Sequence, residues 1–202
     1  ASPNAINAEG FSSSVTIMGL DGNDTLTGGS AADTLMGGLG DDRLKGKGGG
    51  DNIDGNAGND TMFGGGGNDT LVGGLGDDSF LGQGSTDRII ESGDVDFTMS
   101  NTQLTGIGID AIDSIEEAVL TGGASVNTLD TRDFDGSVTL DGGASGDTLR
   151  SGSAADVLMG QTGDDLLAGG GGDDVLLGAD GADSLFGGGG DDTLTGDIGD
   201  DN

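Results

Sequence analysis

The chain has no cysteine, histidine, tryptophan or tyrosine and only one proline among its 202 residues. The absence of cysteine excludes disulfide bonds, thiolate metal ligands and thiol catalysis. The absence of histidine removes the most common general base and zinc ligand. No Gly-x-Ser-x-Gly nucleophile motif occurs either. These absences predict that the chain is not an enzyme on its own.

Hydrophobic and basic residues are also scarce. Hydrophobic residues make up 32%, and no apolar stretch approaches the roughly 20 residues that cross a membrane. Six basic residues stand against 37 acidic ones, which gives a net charge of −31. Such a chain repels nucleic acid and anionic membranes and attracts cations. This composition is typical of a disordered chain unless something else supplies order.

Glycine is abundant, with 47 residues, and it falls in a nine-residue period. From Gly19 the chain reads GLDGNDTLT, GGSAADTLM, GGLGDDRLK, GKGGGDNID, GNAGNDTMF, GGGGNDTLV, GGLGDDSFL and a degraded GQGSTDRII. The register returns at Gly142 and continues to the last residue. Position eight is apolar in every complete unit, from Leu26 to Leu194. Position six is always aspartate: Asp24, Asp33, Asp42, Asp51, Asp60, Asp69, Asp78, Asp87, Asp147, Asp156, Asp165, Asp174, Asp183, Asp192 and Asp201.

The residue types in each unit indicate a turn followed by a short strand. Six Gly- and Asp-rich residues favour a turn, because glycine adopts backbone angles closed to other residues. The next three residues alternate polar, apolar and polar, as in a strand with one inward side chain. Two units would form one coil, so that turns of successive coils stack and bring carboxylates and carbonyls together. An anionic, all-oxygen cage of this kind suits Ca²⁺ better than a transition metal.

These units resemble the GGxGxDxUx repeats of the RTX (repeats-in-toxin) family, whose nonapeptide β-helices bind Ca²⁺. The resemblance implies that calcium lies between turns n and n+2, held by the position-six aspartates and by turn carbonyls. Asp24–Asp42–Asp60–Asp78 and Asp33–Asp51–Asp69–Asp87 would then line two edges. Asp147–Asp165–Asp183–Asp201 and Asp156–Asp174–Asp192 would line those of the second array, with roughly 11 Ca²⁺ at most. The expected carbonyl ligands include those of Gly37, Gly40, Gly58, Gly64, Gly67, Gly163, Gly169, Gly172, Gly181, Gly187 and Gly190.

Some units depart from the pattern at position four, where glycine is expected. Ala31, Ser145 and Ala154 place a β-carbon there, which strains a left-handed turn. We expect weak or empty sites at these turns and at the turn with Ser85 and Thr86. Glu9, Glu91, Glu116 and Glu117 lie off the nine-residue grid, and we interpret them as solvated or coil-edge charges.

A longer repeat of 123 residues is also present. Residues 1–79 align with 124–202 without a gap, and 42 of the 79 positions are identical. Some identities lie outside the nonapeptide rule, such as Phe11 with Phe134 and Asn4 with Asn127. We interpret the chain as a fragment of a tandem array with native neighbours at both ends, its export signal lying outside this piece.

Residues 91–141 form the part of the long unit without nonapeptides. Val95, Phe97 and Met99 alternate as in a strand, and Phe134 is expected to fill a coil. Ile112–Leu120 fits either a continued solenoid or a helical turn with Ile112, Ile115 and Val119 on one face. A separate small β-rich domain is the alternative to a continued solenoid for this segment.

The sequence thus predicts an all-β fold, a right-handed parallel β-roll or β-solenoid with calcium-binding turns. Residues 1–18 would end a linking segment, 19–90 form the first RTX block, 91–141 a calcium-poor linking segment, and 142–202 a second, truncated block.

Two functions remain open. One is a calcium-folded structural module of a long tandem-repeat secreted or surface protein, such as an adhesin or an S-layer-like protein. The other is the secretion and folding module of an exported toxin, protease or lipase. Both imply an extracellular or cell-surface location after bacterial type I export. The expected partners are calcium ions and flanking repeats of the same chain, without nucleic acid or membrane insertion, and no receptor or carbohydrate is indicated.

Overall fold

The chain folds into 22 short β-strands in a computed structural model that describes residues 2–202. No helix occurs in this range, and therefore none that is long and apolar enough to cross a membrane. The strands are β1 Ala5–Asn7, β2 Thr16–Asp21, β3 Thr25–Thr27, β4 Thr34–Leu39, β5 Arg43–Gly48, β6 Asn52–Ala57, β7 Thr61–Gly66, β8 Thr70–Leu75, β9 Ser79–Gly84, β10 Arg88–Ser92, β11 Phe97–Ser100, β12 Gln103–Thr105, β13 Ile109–Asp113, β14 Glu117–Thr121, β15 Thr128–Asp133, β16 Ser137–Ala144, β17 Thr148–Arg150, β18 Val157–Thr162, β19 Leu166–Gly171, β20 Val175–Asp180, β21 Ser184–Gly189 and β22 Thr193–Ile198.

The first of two compact units comprises Ala1–Glu91 and Ile107–Glu117. Its strands form two sheets, ordered β1-β3-β5-β7-β9-β13 and β2-β4-β6-β8-β10. Neighbouring strands are parallel, and Leu35 pairs with Ile53, which pairs with Leu71. Within the nonapeptide array, each residue thus pairs with its equivalent two nonapeptides further on, so that two nonapeptides form one coil with one strand in each sheet. The predicted all-β parallel β-solenoid is confirmed.

The second unit comprises Ser92–Gly106 and Ala118–Asn202. Its sheets run β12-β11-β15-β17-β19-β21 and β14-β16-β18-β20-β22, with the same register of two nonapeptides per coil from β17 and β16 onward. The predicted strand around Phe97 and Met99 is present as β11, and both side chains are buried. β11 pairs antiparallel with β12, which the nonapeptide pattern does not predict.

The helical alternative for Ile112–Leu120 is wrong. The segment contains the end of β13 and most of β14, and burial alternates along both strands. Ile112 and Ile115 are buried from a strand and from the turn after it, whereas Val119 of β14 is only half-buried and its neighbours Ala118 and Leu120 point inward, so the three residues do not share one face.

The core consists of one apolar side chain per nonapeptide. The position-eight residues from Leu26 to Ile89 and from Leu149 to Leu176 are 0% exposed. Positions six and one are buried as well, so each half-coil turns an aspartate, an apolar residue and a small residue inward. Phe134 fills a coil as predicted, at 2% exposure, whereas its counterpart Phe11 is 56% exposed.

One coil at the start of each array is longer than two nonapeptides. Ile6 pairs with Leu26, and Leu129 pairs with Leu149, which is a wider spacing than that of the regular coils. In the first unit the extra length forms a turn whose Phe11 carbonyl accepts the amide of Ser30 at 3.1 Å. A bulge of the preceding coil therefore lies directly against the turn that contains Ala31.

Ala31 and its counterpart Ala154 do not adopt the left-handed conformation of the regular position-four residues. Neither residue has a positive φ, so the strain expected from their β-carbons at position four is absent. Ser145, at φ +79°, and Ser85, at φ +87°, do adopt the left-handed conformation. The expectation of a strained left-handed turn is therefore wrong for the two alanines and correct for Ser145.

Candidate calcium sites in the turns

The position-six aspartates lie inside the coils. Thirteen of the fifteen, from Asp24 to Asp183, are at most 4% exposed, and only Asp192 and Asp201 near the chain end are more open. A buried carboxylate is costly unless it is paired or bound to a cation. The burial of so many acids is therefore the feature of this fold that needs a chemical explanation.

One oxygen of each carboxylate has a backbone partner in the preceding coil. The amide of Asp42 donates to Oδ1 of Asp60 at 2.7 Å, and the amide of Asp60 donates to Oδ1 of Asp78 at 2.7 Å. The same bond repeats every 18 residues along two edges of each unit. The resulting aspartate ladders contain the neighbours expected from the sequence, such as Asp24 with Asp42 and Asp147 with Asp165.

The second oxygen of most of these carboxylates is buried without a hydrogen-bond partner. Orphaned polar atoms are uncommon in folded proteins, and each marks a place where a further group is needed. Eleven of the fifteen aspartates have such an Oδ2 atom: Asp24, Asp42, Asp51, Asp60, Asp69, Asp87, Asp147, Asp156, Asp165, Asp174 and Asp183.

The orphaned oxygen faces a space kept open by the position-one glycine. A β-carbon on Gly55 would lie closer than 3.0 Å to Oδ2 of Asp60 and to the carbonyl oxygen of Gly73, one coil further on. Equivalent cradles exist at Gly37, where the carbonyl is that of Gly55, and at Gly169, where it is that of Gly187. A carboxylate and a carbonyl oxygen therefore face each other across a gap that only glycine leaves free.

The position-four carbonyls also follow the stack. The carbonyl of Gly40 approaches Gly58 in the next coil, and the carbonyl of Gly163 approaches Gly181. Within residues 2–202, no three acidic, histidine or cysteine side chains converge closely enough to hold a metal ion. A cation in these turns would therefore take part of its oxygens from the backbone, as Ca²⁺ commonly does.

Burial makes several of the ladder carboxylates weaker acids by raising their pKa. It raises the pKa of Asp51 and Asp60 to about 7 and the pKa of Asp165 to about 6. The backbone N–H donors oppose this rise, and neighbouring aspartates add to it by repulsion. Without a cation, Asp51 and Asp60 thus resist full ionisation at neutral pH, and a divalent ion would supply the missing positive charge.

Two turns differ from the rest. In the turn with Ala31, the amide of Gly29 donates to Oδ2 of Asp33 at 2.6 Å, so that this oxygen is satisfied within its own turn. In the turn with Ala154, position one is Ser151, whose hydroxyl donates to the carbonyl of Gly169 at 2.6 Å. The carboxylate of Asp33 is therefore satisfied by its own turn, whereas in the Ala154 turn only the cradle carbonyl is engaged and Oδ2 of Asp156 has no partner.

The structure adds one aspartate that the grid did not contain. The amide of Asp78 donates to Oδ1 of Asp110 at 2.9 Å, as it would to the next aspartate of a regular coil. Ala111 pairs with Ser79 in the sheet, although the intervening chain is much longer than two nonapeptides. Gly108–Asp113 thus takes the place of the second part of a nonapeptide in the next coil. Its sequence GIDAID matches positions four to nine of the repeat, G-x-D-x-apolar-x.

The interpretation of Glu91 as a solvated or coil-edge charge is wrong. Glu91 stands at position one and is 5% exposed. Its Oε1 atom accepts the amides of Gly73 at 2.8 Å and Gly74 at 3.3 Å. Burial raises the pKa of Glu91 to about 7. Glu91 follows Gly19 by eight nonapeptides. This spacing is the signal in the sequence that places Glu91 at position one of a coil.

Glu9 and Glu117 lie where the sequence suggested, at the surface. Glu9 pairs with Lys47 at 2.9 Å, and Glu117 pairs with Arg88.

In the longer coils, position six is occupied by a neutral asparagine instead of an aspartate. The backbone N–H of Asn127 donates to Oδ1 of Asp147 at 2.7 Å, and the backbone N–H of Asn4 donates to Oδ1 of Asp24. The start of each array therefore has fewer charges than its interior.

Stacked parallel coils with aspartate ladders in their turns define a cation-binding repeat protein of the β-solenoid class. A family model described as RTX calcium-binding nonapeptide repeat (4 copies) matches residues 16–44, 45–80, 141–176, 150–185 and 168–202. These matches cover more than half of the chain, which therefore belongs to the RTX calcium-binding nonapeptide repeat family. A search of curated proteins gives no match.

Proposed function

We propose that the chain is a calcium-folded structural module of a long tandem-repeat protein that acts outside the cell. The observation that carries this proposal is the set of eleven buried, unpartnered Oδ2 atoms beside the glycine cradles. Divalent calcium offers the charge and the flexible oxygen coordination that such positions require. The position-six aspartates and the turn carbonyls would hold it, in two arrays at residues 19–90 and 142–202, with up to about 11 ions.

Calcium binding and folding are coupled in this proposal because the apolar core is small. Each nonapeptide buries one large apolar side chain while ordering nine glycine-rich residues, which lose much conformational entropy. The buried carboxylates add repulsion to that cost. A chain of this kind is expected to be unfolded without the metal and folded with it.

An extracellular role follows from the expected calcium affinity. Extracellular calcium modules bind at roughly 10⁻⁴–10⁻³ M. The chain would then remain unfolded in a calcium-poor cytosol, pass through an export channel in that state, and fold outside. The repeat of 123 residues supports a structural role, such as that of a spacer or scaffold in a secreted or surface protein, since it repeats linking segment and nonapeptides together.

Far-UV circular dichroism during a calcium titration tests this proposal. A cooperative transition from coil to β-structure is expected between chelator and millimolar Ca²⁺. Equal Mg²⁺ serves as the control and is expected to leave the chain unfolded, because Mg²⁺ demands a small octahedral site and releases its waters reluctantly. A chain that is already rich in β-structure in chelator would overturn the coupling of calcium to folding.

A further inference from the structure

The first unit contains the aspartate ladder Asp33–Asp51–Asp69–Asp87. This ladder ends beyond the matched repeats of the unit, which stop at residue 80. Its last aspartate, Asp87, is 0% exposed, and its Oδ2 atom has no hydrogen-bond partner. The nonapeptide grid places no further aspartate one coil later in this unit. What faces the orphaned oxygen must therefore come from another part of the chain.

Ser114 supplies a carbonyl at this place. A β-carbon on Gly82 would lie closer than 3.0 Å both to Oδ2 of Asp87 and to the carbonyl oxygen of Ser114. Inside the array, the Gly55 cradle has the same two neighbours, namely its own aspartate and a carbonyl of the next coil. Ser114, at φ +56°, thus presents the oxygen that a position-one glycine presents elsewhere.

Glu116 supplies a carboxylate. Its Oε2 atom accepts the amide of Asp87 at 2.9 Å, the bond that the next aspartate of a regular ladder would accept. Glu116 is exposed, so that an ion can reach this carboxylate from solvent. Arg88, the basic residue next to Asp87 in the sequence, forms its ion pair with Glu117 and not with Glu116.

We propose that Asp87, Ser114 and Glu116 form a calcium site that closes this ladder, with glutamate in place of aspartate, in contrast to the weak or empty site expected from the sequence at the turn with Ser85 and Thr86. It rests on the proposed function, since it uses the same ion and the same kind of cradle. The donors are two carboxylates and one carbonyl, which are hard oxygen ligands suited to Ca²⁺. The other ladder of the unit does not offer an equivalent site. Asp78 is not among the aspartates with an orphaned oxygen, and the carboxylate of Glu91 already approaches its cradle.

Anomalous diffraction from crystals of the calcium-loaded chain tests this site. The expected result is a calcium peak at roughly 2.3–2.6 Å from Oδ2 of Asp87 and from the carbonyl oxygen of Ser114. Peaks in the regular turns serve as internal references. Peaks there with none at Asp87 would overturn this site and leave the proposed function intact, whereas a map without any calcium peak would overturn both.

Substitution of Glu116 provides a second measurement in solution. Glu116→Gln is expected to lower the number of bound Ca²⁺ by one in equilibrium dialysis, with the remaining ions bound as before. Glu117→Gln removes the same charge one position further on and is expected to keep the full number. Glu116→Asp, which retains a carboxylate, is expected to retain the ion with weaker affinity. An unchanged count in folded Glu116→Gln would contradict the assignment, and if that variant fails to fold, the wild-type map decides.

Discussion

Position one of the nonapeptide is glycine because of two oxygens that lie beside it, one from its own aspartate and one from the next coil. Gly55 does not have a positive φ, so its requirement is not conformational freedom. A β-carbon there would meet Oδ2 of Asp60 and the carbonyl of Gly73. Ser151 shows the consequence of a side chain at this position, since its hydroxyl engages the carbonyl of Gly169.

Gly55→Ala is predicted to weaken calcium binding and to destabilise the loaded protein by about 1–3 kcal/mol, the usual cost of overpacking. The β-carbon would displace either the carboxylate or the carbonyl that faces the ion. Gly66→Ala is the matched control, because a β-carbon there meets no atom closer than 3.9 Å. Thermal unfolding in saturating calcium measures both, and equal losses for the two variants would refute the steric argument.

The ladder carboxylates also predict how the calcium-free chain responds to pH. Burial raises the pKa of Asp51 and Asp60 from the ordinary value of 3.8 to about 7. Between about pH 4 and pH 7 the folded chain therefore holds more protons than the unfolded one, so protonation favours folding. This contribution is fully present below about pH 4 and is lost as the pH rises through about 7.

Circular dichroism of the calcium-free chain at pH 4.5 and pH 7.5, two values chosen to bracket roughly that window, checks this prediction. More β-structure is expected at the lower pH. The same or greater β-structure at the higher pH would show that the buried carboxylates do not control folding in the absence of metal.

At the scale of the elements, the longer coils at the start of each array show how one sequence position can acquire two environments. Phe11 and Phe134 occupy the same place in the repeat of 123 residues. Phe134 is enclosed at 2% exposure, whereas Phe11 is 56% exposed. The sequence identity alone does not distinguish them, because the difference lies in what covers each ring.

Phe134→Ala is predicted to lower the free energy of unfolding by about 3–5 kcal/mol, the usual cost of removing a buried aromatic side chain. Phe11→Ala is predicted to change it by less than about 0.5 kcal/mol, as is usual for exposed positions. Denaturant unfolding in saturating calcium compares the two. A similar loss at both positions would mean that the coil containing Phe11 is as closed as its counterpart.

Most of the regular coils could be predicted from the sequence because each of their features has a period of nine. The strands, the buried residue at position eight and the neighbours in the aspartate ladder all follow from that spacing. Asp110 could not be placed in this way, since 32 residues separate it from Asp78 and the spacing no longer signals a coil. The unstrained turn at Ala31 could not be predicted either, because nothing in the nonapeptide period signals that Phe11 of the preceding coil contacts this turn.

At the scale of the whole molecule, the net charge of −31 and the small core act together. Roughly 11 divalent ions would neutralise about 22 of these charges, where each ion also bridges two coils. Monovalent salt screens exposed charges but does not coordinate buried oxygens. Calcium is therefore expected to form the coils themselves, and not only to screen their surface.

Amide hydrogen exchange with and without calcium tests this claim most directly. The amides of the ladder aspartates, such as Asp42, Asp60 and Asp165, donate to carboxylates that calcium would hold in place. Peptides that contain them are predicted to exchange at once in chelator, even in molar sodium chloride, and to become protected when Ca²⁺ is added. Protection of these peptides in chelator would contradict the account, because the coils would then form without the metal.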